Sequence, residues 1–229
     1  MSKLIGIIGA MDIEVDGIVA LMSDTSVKEI SGIKFVKGTL HNKDVVVAKC
    51  GIGKVFASVC AQTMILEYKP CVIINSGVAG TLSTDLRIMD VAIAKSVVQH
   101  DMDTSAIGDP KGLISGINVI NIYTDEKAVN VLTSACDCVN CTTKLGTIAS
   151  GDKFIVDAND KEFIRTEFGA IACEMEGASI GHVCYINKVP FGVIRAISDG
   201  EGAEMDYATF APLAAKQSIE IVKKFVELY

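Results

Sequence analysis

Apolar and polar positions fall into short blocks along the chain, and the blocks read as strands and helices in turn. Leu4 to Gly9 (LIGIIG) is an unbroken apolar run of strand length, the pattern of a strand covered on both faces. An amphipathic stretch to Met22 follows, so the chain opens with a strand and then a helix. Lys34 to Leu40 and Asp44 to Lys49 flank His41-Asn42-Lys43, which predicts a hairpin with Asn42 in the turn. Beyond Cys50-Gly51-Ile52-Gly53-Lys54 a helical pattern runs to about Tyr68. Cys71 to Asn75 is a further buried strand, with a glycine-bearing loop, Ser76 to Gly80, at its end. Asp90 to Val98 is the next strand, and from Gln99 to Ile117 the sequence turns polar and irregular. A short apolar stretch (Asn118 to Ile122), a helix from Asp125 to about Ser134, a strand from Lys144 to Ser150 and a short helix from Asp160 to Phe168 complete this part.

The stretch Ala170 to Asn187 organises the rest. A short apolar run ends in Glu174-Met175-Glu176 and continues as small and apolar residues at helical spacing: strand, acidic elbow, helix. Phe191 to Ser198 is a last buried strand, with Arg195 inside it and Asp199 just after it. A helix from about Phe210 to Glu227 closes the chain, with Phe210, Leu213, Ala214, Ile221, Phe225 and Leu228 expected on its buried side. No repeat, linker or low-complexity segment interrupts this order. The expectation is one α/β domain over residues 1–229, with a central mixed sheet and helices on both faces.

Composition narrows the function. Of 229 residues half are apolar, which excludes disorder as the overall state. The net charge is −7 and the 21 Lys and Arg residues are scattered, which argues against nucleic acid or an anionic membrane as partner. No apolar run reaches the roughly 18 residues of a membrane span, and MSKLIGIIGAMDIEV meets acids too soon for a signal peptide, so a cytoplasmic location is expected. Five of the eight cysteines (Cys50, Cys60, Cys71, Cys173, Cys184) sit in apolar or helical surroundings and read as small hydrophobes. Cys136-x-Cys138-x-x-Cys141 is the one cluster; its spacing is not that of a zinc site and no His lies near, so reduced thiols in a loop are expected and no metal. Gly6 and Gly9 lack the third glycine of a dinucleotide fingerprint. Gly51-Ile52-Gly53-Lys54 lacks the gap and the hydroxyl of a P-loop. No cofactor is expected.

Each strand-end position carries something useful: Glu14 after the first strand, Ser76 to Gly80 after the middle one, then Phe154, Glu176 and Asp199. If these ends converge, three carboxylates, one arginine and several apolar side chains line one pocket. That set suits bond cleavage through a cationic transition state. One carboxylate activates water, a second holds sugar hydroxyls, and a third, kept protonated by burial, protonates the leaving group. Plainer readings stand beside it. Glu176 alone is compatible with a first-turn acid that favours the helix, Arg195 with a structural ion-pair partner of Glu176 or Asp199, and Phe154 and Met175 with core positions.

GIIGAMDIEV (Gly6 to Val15), CGIGKV (Cys50 to Val55), SGDKFI (Ser150 to Ile155), CEMEGASIGHVC (Cys173 to Cys184), VIRAISD (Val193 to Asp199) and AAKQS (Ala214 to Ser218) together resemble the 5′-methylthioadenosine/S-adenosylhomocysteine nucleosidases. The resemblance spans almost the whole chain and fails mainly between Gln99 and Thr143. It implies a nucleoside phosphorylase-like three-layer αβα sandwich and hydrolysis of the N-glycosidic bond of an adenine nucleoside, in the setting of methionine salvage. It also implies Glu14 as the base that activates water, Asp199 as the acid toward adenine N7, and Arg195 as an aid in ordering the water and the carboxylates. Glu176 would accept from the ribose hydroxyls, Phe154 would stack on adenine, and the Ile155 backbone would complete the purine contacts. Met11, Ile52, Met175 and Tyr207 would line the ribose and the 5′ groove. Val78 stands where such enzymes often have serine, and Tyr207 where phenylalanine is usual. Members of the family form homodimers, with the neighbour closing the 5′ end, here through Gln99 to Ile117. A purine nucleoside phosphorylase is the main rival, but it needs a cationic cradle, and this chain has only Arg87, Arg165 and Arg195. A nucleosidase for 6-amino-6-deoxyfutalosine would use the same adenine and ribose contacts. A non-catalytic nucleoside sensor would not be expected to keep both Glu14 and Asp199.

Overall fold

In the computed structural model, which describes residues 3–200 and 203–229, the opening apolar run forms strand β1 (Ile5–Gly9). Its residues divide between two cores, Ile5 and Ile7 toward one and Leu4 and Ile8 toward the other. The same division holds in β4 (Lys43–Lys49), with Val45 and Val47 against Val46 and Ala48. Strands covered on both faces need helices on both sides. One face is covered by α2 (Lys54–Tyr68) and α5 (Gly177–Asn187). The other is covered by α1 (Asp12–Val19), α3 (Glu126–Cys138) and α6 (Ala203–Leu228). The result is the three-layer α/β arrangement that the alternating pattern called for. A smaller core under α4 (Ala158–Phe168) joins Ile164 to Ala149, Ala170 and Cys173.

The remaining strands are β2 (Ser23–Ile30), β3 (Ile33–Leu40), β5 (Val72–Thr81), β6 (Val91–Gln99), β7 (Ile122–Tyr123), β8 (Thr143–Ser150), β9 (Ala170–Glu174) and β10 (Phe191–Asp199). The sheet runs in the order β10-β6-β8-β9-β5-β1-β4-β3-β2, with β7 on β6. β10 also pairs with β5, in parallel from Phe191 opposite Ile73 to Asp199 opposite Gly80. Five strands therefore close a circuit, β10-β6-β8-β9-β5, from which β1, β4, β3 and β2 extend as an open wing. The hairpin between β3 and β4 turns on His41 and Asn42, both in the left-handed region that a two-residue turn requires.

Several expectations are corrected. Ser76 to Gly80 is not a loop but the second half of β5, because β10 supplies a hydrogen-bonding neighbour all along it. β2 was not expected; it is an exposed outer strand that pairs with β3. Of Asn118 to Ile122 only Ile122 lies in a strand. Cys136 and Cys138 belong to the last turn of α3 rather than to a loop, with Cys136 buried. The last helix begins earlier, at Ala203, and Leu213 and Leu228 are exposed on it.

Candidate active site

The sheet circuit closes at Gly80, which is the register partner of both Cys173 in β9 and Asp199 in β10. Carboxyl ends of strands are where α/β folds bind ligands, and here the ends of β1, β5, β9 and β10 meet around one cavity. Met11 and Glu14 enter it from the start of α1, Ile52 from the turn before α2, and Val78 to Gly80 from β5. Lys153 to Ile155 follow β8, Cys173 to Glu176 end β9, Ser198 and Asp199 end β10, and Tyr207 reaches in from α6.

Glu14 stands at the third position of α1, only 4% exposed. Its Oε2 accepts from the backbone N–H of Ala10 at 2.6 Å and of Met11 at 3.0 Å, and its Oε1 from that of Val78 at 3.2 Å. Burial raises its carboxyl above the ordinary 4.5, against the opposing pull of Arg195 and these three donors. Gly77 makes the fit possible: a Cβ there would stand 2.6 Å from Glu14 Oε1. Gly80 does the same for Asp199, where a Cβ would meet Oδ2 at 2.7 Å. Asp199 is 2% exposed and its Oδ1 accepts from Ser198 Oγ at 2.9 Å.

Glu176 is the N-cap residue of α5, yet its side chain caps nothing. Its Oε1 instead accepts from Gly53 N–H at 2.8 Å, across the cavity mouth. Burial first, and the neighbouring charge of Glu174 second, raise its carboxyl to about 7, with Arg195 opposing. Arg195 itself, 1% exposed, lies beneath the cavity rather than in its wall. Its guanidinium donates to the Glu174 carboxylate, to Asn75 Oδ1 and to the backbone oxygen of Ile194 at 2.9 Å. The carboxylates Glu174, Glu176 and Glu14 outweigh the cost of burying it and keep it charged. The rim is apolar and more open. Phe154 meets Tyr207 edge-on with ring centroids 5.3 Å apart, and Tyr207 Oη points at Met11 Sδ at 3.4 Å.

The model of the phosphorylase superfamily matches residues 4–227 of this chain. The chain is similar to the 5′-methylthioadenosine/S-adenosylhomocysteine nucleosidase of Staphylococcus carnosus, 39% identical over 228 residues that cover 98% of this chain and 99% of that protein. It is equally similar to the aminodeoxyfutalosine nucleosidase of Helicobacter pylori, 39% identical over 230 residues and covering 99% of each. Among solved structures, the Neisseria meningitidis nucleosidase in complex with methylthio-immucillin-A superposes with a TM-score of 0.94 at 30% identity, covering 98% of this chain and 99% of that one. The chain belongs to this nucleosidase family.

Ten of the eleven residues that the sequence singled out, Glu14, Asp199, Glu176, Met175, Phe154, Ile155, Met11, Ile52, Val78 and Tyr207, line the one cavity; Arg195 lies under it. The carboxylate it pairs with is Glu174, where the plainer reading has Glu176 or Asp199. Sequence reasoning missed Glu174 as part of the site, along with Ser150 and Asn75, which complete its surroundings. The available signal was an acid two residues before Glu176 at the last position of a strand. Among the described residues no cluster of His, Cys, Asp and Glu is arranged to hold a metal.

Proposed function

We propose that this chain, as a single domain over residues 1–229, hydrolyses the N-glycosidic bond of 5′-methylthioadenosine and S-adenosylhomocysteine, releasing adenine and the 5-thio-substituted ribose. The observation that carries the reading is three buried carboxylates, Glu14, Glu176 and Asp199, around one cavity with an aromatic wall. Three N–H donors occupy most of the lone pairs of Glu14 and leave room for a water, whose proton the burial-raised carboxylate takes. Asp199 gives a proton to adenine N7, which turns a poor leaving group into a neutral one. Glu176 accepts from the ribose hydroxyls, and positive charge developing on the sugar is met by the surrounding carboxylates. Phe154 stacks on the adenine, and the backbone at Ile155 completes the purine contacts. Met11, Ile52, Met175, Val78 and Tyr207 enclose the ribose and its 5′ substituent. Arg195 acts from below, by holding Glu174 and, through its charge, favouring the carboxylates above it.

Water rather than phosphate is the nucleophile. Among the described residues the cation in the cavity wall is Lys153, whose ammonium is paired with Asp160 at 2.5 Å, and the guanidinium of Arg195 is taken up by Glu174 and Asn75. A phosphate would face Glu14 with no free cation opposite among the described residues. The likeness to the Helicobacter pylori aminodeoxyfutalosine nucleosidase supports a second substrate reading, the same bond cleavage with 6-amino-6-deoxyfutalosine. Val55, Phe56 and Leu66 on α2 and Tyr185 and Ile186 on α5 leave an exposed apolar face, which supports a homodimer in which the neighbour's residues 99–117 close the 5′ end. No helix of the described residues is long and apolar enough to cross a membrane; a cytoplasmic place and a role in methionine salvage belong to the same proposal. The test is adenine release from 5′-methylthioadenosine with and without phosphate. Free 5-methylthioribose at a phosphate-independent rate supports the reading, and a sugar 1-phosphate formed only with phosphate overturns it.

A further inference from the structure

Helix α5 has an unusual start. An N-cap side chain ordinarily accepts from the first free N–H groups of its own helix, but Glu176 does not. The work is done from β9 and β8. Glu174 Oε2 accepts from the N–H of Glu176 at 3.0 Å and of Gly177 at 2.7 Å, and Ser150 Oγ accepts from that of Ala178 at 2.7 Å while donating to Glu174 Oε1. The fourth donor to Glu174 is Arg195. With its helix capped by a neighbour, Glu176 is turned toward Gly53 N–H, and no described residue donates to its Oε2.

We propose that Glu174 is the positioning residue of the site: it caps α5 in place of Glu176 and anchors Arg195, which leaves the Glu176 carboxylate free to take a pair of ligand hydroxyls. This rests on Glu176 being the acceptor for the ribose diol. The same geometry puts two carboxylates side by side over one guanidinium, so the charge of Glu174 holds back ionisation of Glu176. The other groups that face Glu176 are Arg195 on β10, Glu14 on α1 and Cys50 at the end of β4, with Tyr207 from α6. None of these caps the helix.

Two variants separate cap from charge. Glu174→Gln keeps an acceptor for the N–H groups and loses the charge; Glu174→Asp keeps the charge and loses the reach. In the unaltered enzyme, KM for 5′-methylthioadenosine is expected to be about tenfold higher at pH 6 than at pH 8, since burial and Glu174 raise the Glu176 carboxyl to about 7. In Glu174→Gln that ratio falls to about twofold or less, and in Glu174→Asp the ratio persists while KM at pH 8 rises by about tenfold or more. Carboxyl-carbon NMR follows the Glu176 titration directly, without turnover, so a failure of the nucleoside reading leaves this test intact. An unshifted Glu176 midpoint in Glu174→Gln overturns the charge effect. A Glu174→Asp enzyme with the unaltered KM at pH 8 overturns the positioning.

Discussion

The floor of the cavity and its rim are built by different means. At the floor, Glu14, Glu176 and Asp199 are nearly inaccessible, sit at strand ends or first helical turns, and are held by backbone N–H groups or by the neighbouring hydroxyl, with the Arg195–Glu174 pair buried beneath. At the rim, Phe154 is 44% exposed and Ile52 is 55% exposed, and their contacts are apolar. Groups that must be aimed to a fraction of an ångström belong on rigid elements; groups that enclose a variable substituent do not. On the proposed function, this difference puts the chemistry at the floor and substrate choice at the rim.

The sharpest way to break that assignment is at Asp199. Asp199→Asn keeps the shape and loses the proton, and adenine release is expected to fall by about 10²- to 10⁴-fold with the fold intact by circular dichroism. Next is the support beneath the floor. Arg195→Met leaves Glu174 buried without its partner, an expected loss of about 3–5 kcal/mol of stability in urea unfolding; a loss under about 1 kcal/mol would make the pair an incidental one.

A third effect is the pH dependence. The proposed role of Glu176 as acceptor for the ribose hydroxyls calls for its ionised form, so kcat/KM should fall as pH drops through about 7, by up to about tenfold per unit. The stability contribution has the opposite sense. A carboxyl raised from 4.5 to about 7 on folding favours the folded state below 4.5, and that contribution is lost as pH rises through about 7. A flat profile between pH 6 and 8 would remove Glu176 from ligand binding. The smallest effect belongs to the rim. Phe154→Ala removes a stacking surface of about 1–3 kcal/mol, so KM should rise by about tenfold while kcat changes little; a fall in kcat alone would move Phe154 into the chemistry.

The same contrast explains what could be read from the chain. The floor is legible because acids come at or just past the ends of apolar runs, as Asp199 follows FGVIRAIS and Glu176 follows AIACEM. Glu174 is not, because period-two and helical patterns do not say which of two acids turns into the wall and which faces the ligand. The second half of β5 is hidden in the sequence since Gly77 and Gly80 look like loop residues, whereas they are strand residues kept small to admit Glu14 and Asp199. β2 escaped because SDTSVKEI, exposed almost throughout, carries no buried face to produce a pattern. Helical spacing alone places Leu213 and Leu228 in the core, yet both are exposed.

The most direct test of the division between floor and rim is Glu14→Gln, measured for adenine release from 5′-methylthioadenosine and for equilibrium binding of that nucleoside. A drop in turnover of about 10²- to 10⁴-fold with binding within about threefold is the expected result. Turnover near that of the unaltered enzyme, or binding lost together with turnover in a folded protein, would contradict it.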